Sequence, residues 1–232
     1  MRSLLCLITA LASVSGLAQV PVRDNWLWLS AELQKELAKD LVIAINAETR
    51  LNENYRNVRS YFGEVEVSYK VNKYFSGSIQ YRYGGRENDV SDFVRGQRIT
   101  GYLYGRFKIR KFSFANRLGY FQQYLKLDAG DDRINPETYW RNRFQAKYKM
   151  SKAIEPLMSI EFFYRTFDGR NRIDEWRYAL GLEIELNKQH TLKPVFLLSR
   201  QVNVRRPDIR NILSVGYVYS IPLKKRNQNS KS

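Results

Sequence analysis

The chain has 232 residues, 44% hydrophobic and 14% aromatic, with 39 Lys and Arg against 23 Asp and Glu, a formal charge of +16. A single cysteine (Cys6) and a single histidine (His190) exclude a disulfide framework and a His–Cys metal centre. Beyond the N-terminal leader no stretch resembles a membrane-spanning helix, which excludes helical membrane proteins and leaves closed β-barrels open.

Met1-Arg2 precedes an apolar run, 3–14, and then Ser15-Gly16-Leu17-Ala18-Gln19. A basic start, an apolar core and small residues at Gly16 and Ala18 predict a signal peptide, 1–18, cut before Gln19. The run is too short to anchor in a bilayer, and Cys6 lies inside it without a lipoprotein context. An exported basic chain meets lipid phosphate, lipopolysaccharide and acidic glycans rather than nucleic acid. The remainder is the size of one all-β domain, 19–222, followed by a polar tail, 223–232.

Segments 26–33 and 41–51 flank a turn at Lys39-Asp40. In 61–83 two strands meet at Asn72-Lys73: Tyr61, Gly63, Val65, Val67, Tyr69 and Val71 alternate with Phe62, Glu64, Glu66, Ser68 and Lys70, then Phe75, Gly77, Ile79, Tyr81 and Tyr83 with polar residues. A period of two is the mark of a strand with one apolar face. A polar loop is expected at 84–94, then 98–109 and 112–124 about Arg110-Lys111, and a second loop at 125–137. Segments 139–150 and 154–165 turn at Ser151-Lys152, a loop is expected at 166–174, and 175–186 and 191–200 turn at 187–189. The loop 201–208 leads to a last strand, 209–221, before Pro222. Short turns alternating with long polar loops predict an all-β, up-and-down antiparallel transmembrane barrel.

Alternation alone does not tell a membrane barrel from a soluble one; the quality of each face does. The apolar face is read as free of charge, with Asn116, Asn142 and Asn211 as its polar exceptions and aromatics such as Tyr69, Phe75, Phe107, Tyr120, Trp140, Trp176 and Tyr217 near its ends. Strands of about 11 residues suit a tilted crossing of a hydrocarbon layer. The other face carries Glu48, Arg50, Glu64, Glu66, Arg82, Arg98, Arg106, Arg117, Arg141, Arg143, Glu161, Arg165, Glu175, Arg177 and Glu183, which are expected to line the interior. Eleven segments are found, while bacterial single-chain barrels are even-numbered. About 12 strands are therefore expected, one hidden in 84–94, with ten the alternative if 26–33 lies outside the barrel.

Several short motifs resemble a known family: an N-terminal Trp, Ala47-Glu48-Thr49-Arg50, Gly63-Glu64-Val65, Tyr81-Arg82-Tyr83, Asn116-Arg117-Leu118, Tyr139-Trp140-Arg141-Asn142-Arg143, Glu161-Phe162 and Tyr178-Ala179-Leu180-Gly181-Leu182. In order and spacing these resemble DUF2490, β-rich proteins of Bacteroidetes-type bacteria taken to be outer-membrane barrels. The resemblance implies a fold and a location; it brings no activity and no catalytic residues.

Chemistry is sparse. His190 beside a turn, with Ser199 and Ser214 as serines by type alone, is the one opening for a lipid hydrolase. Asp128, Asp131 and Asp132 lack the spacing of a calcium loop, and Arg205-Arg206 reads as solvated loop charge or a contact to lipopolysaccharide phosphate. Inward arginines either form an anion-preferring pore or pair with glutamates that fill a narrow bore. The leading expectation is a monomeric outer-membrane barrel, structural or a narrow anion-preferring pore, with no enzyme activity, cofactor or metal. Its partners are lipid, lipopolysaccharide and small anionic solutes. The alternatives are the hydrolase and a soluble periplasmic ligand-binding barrel.

Overall fold

A computed structural model describes residues 22–87, 93–125, 137–167, 170–204 and 206–223; the signal peptide expected at 1–18, the Asp128–Asp132 cluster, Arg205 and most of the tail lie outside the described residues. Eleven strands follow one another: β1 (Val22–Ala38), β2 (Leu41–Asn52), β3 (Asn57–Lys70), β4 (Phe75–Glu87), β5 (Phe93–Ile109), β6 (Phe112–Leu125), β7 (Glu137–Tyr148), β8 (Ile154–Phe167), β9 (Arg170–Glu185), β10 (His190–Gln201) and β11 (Asp208–Ile221). Each pairs antiparallel with its successor, and β1 closes the barrel against β11.

All eleven segments read from the sequence are strands of this barrel, one fewer than the twelve expected. The even-number rule holds for all-antiparallel closure. Here β1 and β11 run parallel, in unbroken register from Val22↔Asp208 to Lys35↔Ile221, and one parallel seam is what an odd count requires. The segment at 26–33, which the ten-strand alternative leaves out, is the middle of a 17-residue strand that holds the seam.

The links at one end are short, and their residue types explain them. Asn72 Oδ1 accepts from the backbone N–H of Tyr74 and Phe75 at 2.8 and 2.9 Å, and Asn187 Oδ1 does the same for Gln189 and His190. Ser151 Oγ plays this part for Ala153 and Ile154. A short polar side chain thus stands in for the turn's own carbonyl. Arg110 takes a φ of 52° in the two-residue link after β5. At the opposite end the link 53–56 has three successive left-handed residues, Glu53, Asn54 and Tyr55. Asp24 on β1 accepts from the N–H groups of Glu53 and Asn54 at 3.0 and 3.2 Å and pins that link. The loops expected at 84–94 and 166–174 are shorter than read: β4 reaches Glu87, β5 starts at Phe93, and β8 and β9 leave only 168–169 between them. Polar residues end an apolar pattern without ending a strand.

The apolar face points outward. Ile79, Leu103 and Leu180 keep 60–69% of their surface exposed, and the concavities of the outer wall are apolar, one of about 1220 Å³ crossing β4 to β10. Aromatics gather toward both ends of this wall, with Tyr120 against Trp140 and Phe162 against Trp176 on the long-link side and Phe107, Phe112, Phe114 and Tyr148 on the short-turn side. The polar exceptions answer one another. Asn116 donates to Asn142 at 2.8 Å, and Asn211 donates to Asn25 at 3.1 Å. Gln122 is a further polar residue there, bonded to Tyr120 and Tyr124. The reading of a charge-free face is broken by Arg200, exposed on the outward parity of β10 across from Trp176, with Lys35 of β1 and Arg95 of β5 on the same parity nearer the strand ends.

One glycine is required by a close approach. A Cβ on Gly84 would lie 2.1 Å from the Tyr61 carbonyl oxygen and 2.5 Å from Phe62 Cβ, and neither can swing away. Gly84→Ala is expected to cost about 1–3 kcal/mol of unfolding free energy in denaturant titration, the range for forced overpacking.

Candidate functional site

With the apolar face outside, charge faces inward. Side chains pack within the interior: Thr100, Ser199 and Ile212 retain 1% of their surface, and Trp28, Phe62, Tyr102, Phe121 and Phe163 are also buried. These side chains point away from the outer wall, so only one another and the interior charges can hide them.

Two glutamates organise those charges. Glu64 stands across from Arg82, and Arg82 across from Arg98, in one lateral row of β3–β5. Glu64 Oε1 takes Arg82 Nε at 2.5 Å and Arg98 Nη2 at 3.5 Å, while Oε2 accepts from Asn46 at 3.0 Å. A second row on β6–β8 repeats the motif in reverse order, Arg117, Arg143, Glu161. Glu161 Oε1 accepts from Arg117 Nη2 at 2.9 Å and from Arg141 Nε and Nη2 at 2.9 and 2.7 Å. Arg141 Nη1 also donates to Tyr102 OH at 3.1 Å. Each row sets two arginines directly opposite one another, a repulsive placement in a sheet, and offsets it with a carboxylate one strand away.

The other candidate residues form smaller units. Glu48 pairs with Arg50 at 2.6 Å and Glu175 with Arg177 at 2.5 Å, each two residues along its own strand. Ser199 Oγ donates to Glu175 at 2.6 Å. Arg165 meets Glu137 at 3.0 Å and Asp174 at 3.7 Å near the long-link end, and Glu183 meets Lys147 at 2.6 Å toward the other. Among the described residues Glu66 makes no ion pair with an arginine, and it accepts from Gln80 and Tyr104 at 3.3 and 3.4 Å. Arg106 differs from the rest: near a short turn, it is exposed and lies 5.1 Å from the Tyr104 ring.

Guanidinium planes also stack on the interior aromatics, at 3.5 Å for Arg82 on Phe62, 3.9 Å for Arg50 on Trp28 and 4.4 Å for Arg177 on Phe163. Such contacts strengthen where water is excluded. Sequence reasoning sought aromatics only on the apolar face and missed these. The available signal was a ring two residues from a charge on the charged parity, as in Phe62 before Glu64 and Phe163 between Glu161 and Arg165.

The serine–histidine pairing is not assembled. Ser199 and Ser214 face the interior. His190 sits at the short-turn end of β10 on the opposite parity, bonded to Tyr217 OH and packed on Tyr219. No group of three or more His, Cys, Asp or Glu side chains suited to a metal ion occurs among the described residues.

The sequence profile of the family described as Protein of unknown function (DUF2490) matches residues 25–211, from the start of β1 into β11. No curated protein matches the chain.

Proposed function

We propose, for a chain that belongs to the DUF2490 family of proteins of unknown function, the role of an integral outer-membrane β-barrel with a narrow, anion-preferring interior. One observation carries this reading: the wall is apolar outside and charged inside. A soluble barrel hides its apolar face within, whereas a barrel in hydrocarbon must present that face to lipid. The mid-wall pair Asn116 and Asn142 supports it, since the two amides bond to each other as polar groups facing lipid must. Arg200 sits at the rim beside an aromatic, where a charge on the lipid face costs least. Lipid is the partner of the wall, and lipopolysaccharide phosphate that of exposed long-link residues such as Arg206.

The buried interior side chains and their ion pairs narrow the bore and argue against a wide standing water column. In planar bilayers the purified protein is expected to give no steady conductance at modest voltage, and brief openings that favour chloride over potassium. Cation-selective openings would overturn the anion preference. Location is tested separately by fractionation: expressed with its leader in a Gram-negative host, the protein should sediment with outer membranes and require detergent for release. Recovery in the soluble periplasmic fraction would favour the ligand-binding barrel instead.

A further inference from the structure

Charge is unevenly placed in the interior, and around Glu161 guanidinium outnumbers carboxylate. Arg117, Arg141 and Arg143 surround Glu161, three cations against one anion. Arg177, across from Glu161 on the other side, is engaged by Glu175. Glu161 Oε1 already accepts three N–H groups from Arg117 and Arg141. Arg143 lies directly across from both Arg117 and Glu161, yet among the described residues its guanidinium makes no hydrogen bond, ion pair or ring contact. Arg117 Nε is buried without an acceptor, whereas the Arg143 side chain is only partly buried. The next carboxylate, Glu66, is tied to Gln80 and Tyr104. Around Glu64 the surplus is smaller, two arginines on one carboxylate; both make an ion pair, although Arg98 Nε is also buried without an acceptor.

A charge inside a fold is retained only when paired, and an orphaned buried donor marks a missing acceptor. Among the described residues no side chain is hydrogen-bonded to Arg143 or to Arg117 Nε, and the nearest carboxylate, Glu161, has its Oε1 taken by Arg117 and Arg141. We infer that Arg117 and Arg143 form an oxyanion-binding site within the barrel, selective for a small tetrahedral dianion of the hydrogenphosphate or sulfate type. Three guanidiniums against one carboxylate leave two positive charges, which a dianion neutralises and a chloride does not. Guanidinium forks match paired oxygens at their own spacing. The side chain of Arg117 keeps 16% of its surface and faces the interior, and Arg143 is also only partly buried.

This inference rests on the anion-accepting reading of the interior, and its test is independent of membrane location and of conduction. Calorimetric titration of the detergent-solubilised barrel with inorganic phosphate is expected to give one site per chain, displaced by sulfate and not by chloride at equal ionic strength. Arg143→Gln should weaken binding at least tenfold, while Lys152→Gln, an equal loss of charge in an exposed turn, should leave it unchanged. In phosphate-free buffer Arg143→Gln should unfold at the same denaturant concentration as the parent or higher, because it removes an unpaired charge. An arginine held in an internal ion pair would instead make that variant less stable. Absence of saturable phosphate binding by the parent protein, or equal binding by Arg143→Gln, overturns the site. If Arg143→Gln does not fold, the parent titration and its sulfate competition decide alone. A soluble fractionation result would leave this titration unaffected.

Discussion

Glu161→Leu is expected to destabilise the barrel by about 3–5 kcal/mol, the cost of leaving buried charges without their partner. Glu161 is 5% exposed and holds Arg117 and Arg141 on a single oxygen. Leucine conserves most of the volume, so the loss reports charge rather than a cavity. The internal comparison is Glu183→Leu. Glu183 also has a close cation, Lys147 at 2.6 Å, but both side chains are about a quarter exposed, 22% and 24%. Pairs of that kind contribute about 0–1 kcal/mol. Reversible denaturant unfolding of both variants in lipid vesicles measures the difference. Equal losses would mean that interior burial does not set the strength of these pairs.

Leu103→Arg is the second large effect, expected to cost about 2–4 kcal/mol in vesicles, the price of a charge on a lipid-facing strand at mid-depth. Leu103 is 66% exposed on β5, in one lateral row with Gly77 and Leu118. On the water-facing side of a soluble sheet the same exchange would lie within about 0.5 kcal/mol of neutral. Arg200 supplies the control for depth. Already outward at the rim, its replacement by leucine should change stability by less than about 1 kcal/mol. A Leu103→Arg penalty below about 0.5 kcal/mol would show that water, not lipid, covers the wall.

Strand positions and the inside-out sense of the wall were legible in the sequence because both are local. Val65, Val67 and Tyr69 alternating with Glu64, Glu66 and Ser68 need no knowledge of any other strand. The closure was not legible. A parallel pairing between Leu27 and Leu213 leaves no mark near either residue, because each strand would look the same in an antiparallel seam. The interior partners were hidden for a related reason. Arg117 reaches Glu161 across an intervening strand, and only the combined register of β6–β7 and β7–β8 brings them together. Asn116 and Asn142 stood out singly as defects on an apolar face; their bond turns two defects into one satisfied pair.

The parallel seam has a consequence for the two ends of the polypeptide. With ten antiparallel steps from β1 to β11, Val22 enters the barrel at the end that carries the long links, and Ile221 leaves it at the end with the short turns. An even-stranded barrel returns both ends to the same compartment; this one separates them. If the barrel spans a membrane as proposed, sequence fused ahead of β1 and sequence fused behind β11 would be delivered to opposite sides of it.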